Sequence, residues 1–188
     1  TRELLGLSDD YHVLFTTGGA STQFFMLAMN LLNEGENAAY TDTGTWANKA
    51  IKEAKAYGSI KVIASSKDKN YSFIPKDLSA LPADARFLHL TSNNTIFGTQ
   101  IHEWPEVPVP IVCDMSSDIF SKPIPVEKFG MIYAGAQKNA GAAGVTMVIL
   151  RKDMVRSDLT HHMPPMLDYK TYIAENSLYN TPPVFSIY

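Results

Sequence analysis

Short apolar runs alternate with helix-patterned segments along most of this chain, and this alternation constrains the fold more than any other feature. An apolar run of four to eight residues between turn residues is too short for a helix and is typical of a buried strand. The ranges expected as strands are 11–16, 37–41, 60–64, 86–91, 111–114, 131–134 and 145–150. Helices are expected over 24–32, with Gly35 as a stop, and over 45–57, closed by Gly58.

This order of elements predicts an α/β fold with a mixed, mostly parallel sheet and helices on both faces. The last two expected strands, 131–134 and 145–150, lie too close in sequence for a helical crossover. Parallel neighbours need a dozen or more connecting residues, so one of these two strands should run antiparallel.

Composition limits the class of partner. The chain has 16 Lys plus Arg against 19 Asp plus Glu, a formal net charge of −3, and no basic run that would attract nucleic acid. No apolar stretch approaches the ~18 residues of a membrane span. Charged residues make up 19% of the 188 residues. That is below the ~25% of an average soluble domain and favours an oligomer.

The chain ends and its one cysteine limit the chemistry further. Residues 1–7 have the pattern of a helix tail without an initial Met, and residues 184–188 stop within an apolar segment. We therefore expect one domain that is a piece of a longer protein. Cys113 is the only cysteine, which excludes an intrachain disulfide and any CxxC motif.

Polar groups follow several of the expected strands at the point where each strand ends. They are the segments 17–21 and 92–95, Asp114, and the pair Gln137 and Lys138. In open α/β sheets, ligands bind outside the carboxyl ends of the strands. The recurrence therefore predicts one ligand site at that edge.

Each of these features also has a plainer interpretation. The Gly18-Gly19 turn before a helix is typical of an anion site, but also of a simple turn with Ser21 as N-cap. Asp114 is a buried carboxylate in need of a partner, or a cap of the following segment. Lys138 lies among small residues, which indicates either a close pocket that activates its amine or a flexible Gly/Ala loop.

Aromatic and histidine residues are less specific. Trp46, at the start of a helix, could stack on a planar ligand, although core packing is the usual role of a tryptophan. The pair His161 and His162 has no second ligand cluster at a suitable spacing, so no metal site is expected.

Taken together, these segments resemble the phosphoserine aminotransferase family, which are pyridoxal 5'-phosphate (PLP) enzymes of fold type I and class V aminotransferases. The resemblance runs over essentially all 188 residues. The stretches that carry it are Thr16-Thr17-Gly18-Gly19-Ala20-Ser21, Thr43-Gly44-Thr45-Trp46, Asn93-Asn94-Thr95-Ile96-Phe97-Gly98, Asp114-Met115-Ser116-Ser117-Asp118, Gly135-Ala136-Gln137-Lys138-Asn139 and Leu178-Tyr179-Asn180-Thr181-Pro182-Pro183.

The resemblance implies catalytic roles for specific residues. Lys138 is expected to hold PLP as an internal aldimine and to move the proton between the substrate Cα and the cofactor. Asp114 is expected to pair with the pyridinium nitrogen and keep it protonated. Trp46 would stack on the ring, and Thr95 would hydrogen-bond the phenolic oxygen.

The resemblance also implies how the cofactor phosphate is held. Ala20, Ser21 and Gln137 would bind the phosphate of the same subunit's PLP. Asn180 and Thr181 would reach the phosphate of a neighbouring subunit's PLP, which implies a homodimer with shared active sites.

The implied reaction is transamination in the cytoplasm, as a step of serine biosynthesis. L-Glutamate donates its amino group, 3-phosphohydroxypyruvate accepts it, and 2-oxoglutarate and O-phospho-L-serine are the products. A related phosphorylated hydroxy-oxo acid of PLP biosynthesis is a further possible substrate. Residues 1–188 would be the PLP-binding large domain, cut at both ends and lacking the C-terminal small domain, and none of the arginines present matches a substrate-binding motif.

Two other functions are compatible with these residues. Another class V aminotransferase, such as an alanine–glyoxylate type, would share Lys138 and Asp114 but should lack the 180–183 segment and the Gly18-Gly19-Ala20-Ser21 form. Alternatively, the chain is a non-catalytic fragment that binds PLP or dimerises. A cysteine desulfurase is disfavoured because Cys113 lies beside Asp114 and not in a mobile loop.

Overall fold

The computed structural model describes residues 1–188 and contains one seven-stranded sheet and a separate two-stranded hairpin. The strands, in chain order, are β1 Tyr11–Thr16, β2 Asn37–Asp42, β3 Ser59–Ser65, β4 Ala85–Thr91, β5 Asn93–Asn94, β6 Thr99–Gln100, β7 Ile111–Asp114, β8 Phe129–Gly135 and β9 Thr146–Arg151. The large sheet has the order β1-β9-β8-β7-β4-β2-β3, and the hairpin is β5-β6.

Strand direction confirms the expected mixed, mostly parallel sheet. Strand β9 pairs antiparallel with both β1 and β8, and the four other neighbouring pairs are parallel. The antiparallel strand is thus the second of the two that lie too close for a crossover. Because only β9 is reversed, the other six strands end at the same edge of the sheet.

Helices pack on both faces, as expected, but very unequally. They are α1 Arg2–Leu5, α2 Gly19–Leu31, α3 Thr45–Ala54, α4 Tyr169–Ala174 and α5 Val184–Ile187. Helices α2, α3 and α4 share one buried cluster with alternate strand residues such as Tyr40, Val112 and Tyr133. On the opposite face, α1 contributes Leu5, and loop residues such as Leu78 and Trp104 cover the rest. None of the helices has the length and apolar character needed to cross a membrane.

Helix α2 is the central element of the first face because nearly every residue after its first turn is buried. Its two buried polar side chains are both satisfied. The Gln23 amide donates to Thr16 Oγ1 over 3.2 Å and accepts from the Tyr169 hydroxyl over 2.6 Å. The Asn30 amide donates to the Leu167 carbonyl over 2.7 Å. These bonds fix the start of α4 against α2.

The two glycines expected to end helices have different roles in the structure. Helix α2 ends at Leu31, and Gly35 lies in the turn beyond it with φ of +82°. Helix α3 ends at Ala54 with Lys55 as its C-cap, so Gly58 does not close it. A Cβ atom on Gly58 would lie 2.8 Å from Leu32 Cδ1 and 3.1 Å from the Glu36 carbonyl oxygen. Gly58 therefore allows a close approach of two segments, which local sequence cannot reveal.

The substitution Gly58→Ala tests this close approach. We expect it to lower the free energy of unfolding by about 1–3 kcal/mol, because the added methyl group overpacks the contact with Leu32 and Glu36. Gly141→Ala is the matched control, since Gly141 has no heavy atom within 4 Å of the new methyl position and no positive φ. It should leave stability unchanged or raise it by up to about 1 kcal/mol. Urea unfolding of both variants measures this, and stabilisation by Gly58→Ala would contradict the packing role.

Candidate active site

Asp114, the last residue of β7, is 6% exposed at the common edge of the sheet. Its Oδ1 accepts hydrogen bonds from the Ser116 backbone N–H over 3.0 Å and from Ser116 Oγ over 2.7 Å. Ser116 Oγ accepts in turn from the Gly135 N–H over 3.0 Å, which ties the carboxylate to β8. No hydrogen bond in the chain uses Asp114 Oδ2. One oxygen is therefore fixed, and the other is available to a ligand.

The electrostatics around Asp114 favour a cationic ligand group. Burial raises the pKa of the Asp114 carboxyl, and the hydrogen bonds from Ser116 and the positive charge of Lys138 act in the opposite direction. His89, two strand residues before the end of β4, is fully buried, and its burial lowers its pKa to about 3. It is therefore neutral at physiological pH and offers Asp114 no charge. A bound cation would balance the part of the Asp114 negative charge that Lys138 does not balance.

Lys138 lies on a tight turn between β8 and β9. The Ala136 carbonyl accepts from the Ala140 N–H over 3.2 Å and from the Gly141 N–H over 2.8 Å, which closes the turn. The side chain is exposed, and its Nζ lies 4.8 Å from the centroid of the Trp46 ring. The small residues around Lys138 thus form a defined turn that directs the amine toward an aromatic ring.

Trp46 has the core packing that is usual for a tryptophan, and its ring also lies near two ammonium groups. The side chain is half-buried and packs against the main core cluster from the first turn of α3. A second ammonium group, Lys49 Nζ, also lies 4.8 Å from its ring centroid. The indole Nε1 is buried without a hydrogen-bond partner. The ring is therefore anchored in the core and also adjoins the amine of Lys138.

The N-terminus of α2 begins with a glycine pair and has no side-chain cap. Gly18 is the N-cap residue with φ of +91°, and Gly19 follows with φ of +68°. Ser21 lies inside the helix, so the interpretation of Ser21 as N-cap is wrong. The first N–H groups of the helix, including those of Ala20 and Ser21, have no intrahelical acceptor. Such a helix terminus suits a phosphate group.

The remaining expected site residues are all exposed. Thr95 lies at the tip of the β5-β6 hairpin, and Gln137 lies directly before Lys138. Asn180 and Thr181 lie in the loop between α4 and α5, and no hydrogen bond joins either to the Asp114 region. The structure thus brings Lys138, Trp46 and Asp114 together, while the 180–181 pair faces outward.

Ser116 is a site residue to which our sequence reasoning gave no role. It holds the Asp114 carboxylate by two hydrogen bonds and connects it to β8. The signal was present in the spacing, because an aspartate commonly accepts from the backbone N–H two residues later. A serine at that position adds a second donor to the same oxygen.

Residues 1–188 match the aminotransferase class-V family over their whole length, so the chain belongs to that family. Among its relatives are phosphoserine aminotransferases. The one from Flavobacterium psychrophilum is 56% identical over 187 residues, which are 99% of this chain and 52% of the relative. The one from Geobacillus kaustophilus is 54% identical over 188 residues, 100% of this chain and 52% of the relative. The chain spans about half the length of these relatives.

Solved structures agree with this assignment. One solved phosphoserine aminotransferase structure, from a study of radiation damage to the Schiff base, has a TM-score of 0.94 and 53% identity to this chain. The match covers 100% of this chain and 52% of the other. The PLP-bound phosphoserine aminotransferase from Trichomonas vaginalis matches with a TM-score of 0.89 and 38% identity. The match covers 100% of this chain and 56% of the other. These matches confirm the fold expected of a PLP-dependent aminotransferase.

PLP, the cofactor implied by this family, fits the residues present. The ligand-accessible Asp114 Oδ2 suits a protonated ring nitrogen, and the uncapped helix terminus at Gly19 suits a phosphate. The Lys138 amine beside the Trp46 ring supplies a nucleophile next to a stacking surface. Three chemically different groups of one cofactor thus have a matching partner.

The substitution Asp114→Asn tests the electrostatic cost of this site in the chain without cofactor. The folded-state pKa of Asp114 is raised, so wild-type stability is lost as the pH rises through that pKa. The asparagine variant carries no charge, can still accept the Ser116 hydrogen bonds, and should therefore be more stable than the wild type near pH 8. The difference should shrink as the pH falls and the wild-type carboxyl becomes protonated. Chemical unfolding across pH 4–8 measures it; a difference that does not depend on pH would contradict the prediction.

Proposed function

We propose that this chain is the PLP-binding large domain of a phosphoserine aminotransferase. The enzyme would transfer the amino group of L-glutamate to 3-phosphohydroxypyruvate, giving 2-oxoglutarate and O-phospho-L-serine in serine biosynthesis. The observation that carries this proposal is the juxtaposition of the Lys138 amine, the Trp46 ring and the buried Asp114 carboxylate in a chain 56% identical to such an enzyme. The hydroxy-oxo acid of PLP biosynthesis is proposed as a second substrate on the resemblance alone.

Lys138 and Asp114 would carry out the proton chemistry. When bound, PLP supplies an electron sink for the pair of electrons released at the substrate Cα. Lys138 Nζ would hold the cofactor through its carbonyl carbon until the substrate amine replaces it there, and the freed Lys138 amine would then take the proton from the substrate Cα. Asp114 Oδ2 would hold a proton on the ring nitrogen, and Ser116 keeps that carboxylate in a single orientation.

The other residues would orient the cofactor. The ring of Trp46 would lie against the cofactor ring, and Thr95 would donate a hydrogen bond to the phenolic oxygen. The N–H groups at Ala20 and Ser21 would bind the phosphate, together with the Gln137 side chain. Because the Trp46 ring packs on the core and α2 is buried beyond its first turn, the Trp46 ring and the start of α2 would be rigid before the cofactor binds.

An alanine–glyoxylate type of activity has weaker support. The alanine–glyoxylate aminotransferase from Nostoc matches with a TM-score of 0.76 but only 15% identity, which reflects the fold alone. The segment from Asn180 to Pro183 and the Gly18-Gly19-Ala20-Ser21 form at the start of α2, which that type should lack, are both present. A non-catalytic fragment would bind PLP but show no turnover when residues 1–188 are assayed alone.

Borohydride trapping tests the role of Lys138. After incubation with PLP and reduction, peptide mass mapping should locate a pyridoxyl group on Lys138, and Lys138→Ala should lose both the visible absorption and the adduct. Lys49→Ala is the matched control, because Lys49 Nζ lies at the same 4.8 Å from the Trp46 centroid. It should retain the Lys138 adduct, and an adduct on Lys49 in the wild type would refute the assignment.

Turnover of the full-length protein extends the same test. The wild type should form 2-oxoglutarate from L-glutamate with 3-phosphohydroxypyruvate as acceptor, and glyoxylate should be a poor acceptor. Lys138→Ala should show no turnover, and Asp114→Asn should bind PLP but lose at least about a hundredfold in kcat. Adduct formation without turnover, or glyoxylate as the better acceptor, would overturn the substrate assignment and leave the cofactor site standing.

We also propose a homodimer in which Asn180 and Thr181 reach the phosphate of the partner's PLP. The segment that carries them exposes several large apolar side chains, including Leu178 at 65% and Phe185 at 91%. Such residues favour burial in an interface.

Sedimentation of the full-length protein tests the proposed homodimer. Wild type should be a dimer at micromolar concentration, and Phe185→Ser should weaken dimerisation. Leu4→Ser, at an exposed apolar position outside that segment, is the control and should leave the dimer unchanged. A monomeric wild type would contradict the proposal.

A further inference from the structure

Two parts of the proposed cofactor site belong to separate segments. Thr95 lies at the tip of the β5-β6 hairpin, whereas Trp46 follows the end of β2 through the Thr43-Gly44 turn. The hairpin has only two residue pairs, Asn93 with Gln100 and Asn94 with Thr99. A two-stranded ribbon of this length is not stable by itself, so other contacts must fix the position of its tip.

The base of the hairpin is well held. Ser92 Oγ donates to the Asp114 carbonyl over 2.9 Å, and Gln100 Nε2 donates to Asp118 Oδ2 over 3.0 Å. Ser117 Oγ also donates to the Asn93 carbonyl over 3.2 Å. These bonds place the hairpin next to Asp114 but do not reach the tip at Thr95.

The tip is held by a residue from a distant loop. The ring of Tyr71 packs on the ring of Phe97, two residues after Thr95, with centroids 4.7 Å apart. Tyr71 and the preceding Asn70 both have positive φ values, +57° and +51°. Consecutive non-glycine residues in this region are unfavourable, so surrounding contacts must compensate. The Tyr71 N–H donates to the Ser66 carbonyl over 2.9 Å, which is one such contact.

The hydroxyl of Tyr71 reaches the second segment. It donates to Asp42 Oδ2 over 3.3 Å, and Asp42 is the last residue of β2, directly before the turn to Trp46. Asp42 is 7% exposed, and its Oδ1 has no hydrogen-bond partner. Burial and the Asp42 charge both raise the pKa of the Tyr71 phenol, so it stays protonated and can donate at neutral pH.

The two segments touch directly beneath this contact. A Cβ on Gly44 would lie 2.8 Å from Asn94 Oδ1 and 3.3 Å from Phe97 Cδ2. Thr43 Oγ1 also donates to Asn94 Oδ1 over 3.4 Å. The position of the hairpin and the position of the Trp46 turn are therefore coupled, and Tyr71 contacts both.

We propose that Tyr71 is a positioning residue for the cofactor, which fixes the Thr95 hairpin relative to the Trp46 turn through its contacts with Phe97 and Asp42. The inference rests on the proposed function and extends it to the 66–84 loop. Tyr71 itself is not assigned a contact with the cofactor.

The substitution Tyr71→Phe in the full-length protein removes the hydroxyl and keeps the ring on Phe97. We expect the Kd for PLP to rise about fivefold, as for the loss of one hydrogen bond. The pH midpoint of the bound cofactor's visible absorption should also shift, because Thr95 would no longer be held against the phenolic oxygen. Tyr71→Leu removes both contacts and should have a larger effect on both quantities. Phe73→Leu, in the same loop and 45% exposed, is the control and should change neither.

Hydrogen exchange of the cofactor-free protein separates this inference from the proposed function. The Phe97 and Gly98 N–H groups, which both donate to the Asn94 carbonyl, should exchange about fivefold faster in Tyr71→Phe than in the wild type. Failure of the wild type to bind PLP would overturn the proposed function, and with it the cofactor role of Tyr71. If the wild type binds PLP, an unchanged absorption midpoint in Tyr71→Phe or unchanged exchange at Phe97 overturns the positioning role.

Discussion

The common direction of six strands is the constraint on which the site depends. Only β9 is reversed in the seven-stranded sheet, so the strands that lead to Asp114, to the Trp46 turn and to Lys138 all end at one edge. The chain must bury its apolar faces to fold, and that burial brings these polar strand ends together. Chemistry at the edge is thus a consequence of packing within the sheet.

The polar groups at this edge leave its charges only partly balanced. Ser116 restrains one oxygen of Asp114, and burial makes the free oxygen costly to leave charged without a partner. Lys138 supplies part of the opposite charge, and the uncapped terminus of α2 is suited to an anion. The site is therefore electrostatically incomplete without a ligand that is cationic at one end and anionic at the other.

Much of the fold was predictable because apolar periodicity is a local signal. The first strand and the strand ending at Asp114 were located to the residue, and the short connection between β8 and β9 predicted that one of these two strands is reversed, but not which one. The roles of Gly58 and Tyr71 were not predictable, since both depend on segments distant in sequence. The types of the site residues were visible at strand ends, but the distance from Lys138 to Trp46 was not.

The reversal of β9 also has a consequence for the order of folding. The Lys138 turn connects two strands that are adjacent in both sequence and space, so closing it costs little chain entropy. Bringing Asp114 beside β4 requires pairing across a longer connection, and such non-local contacts form more slowly. The lysine-bearing turn can therefore form as a local hairpin, before pairing of the neighbouring strands brings Asp114 to the same edge of the sheet.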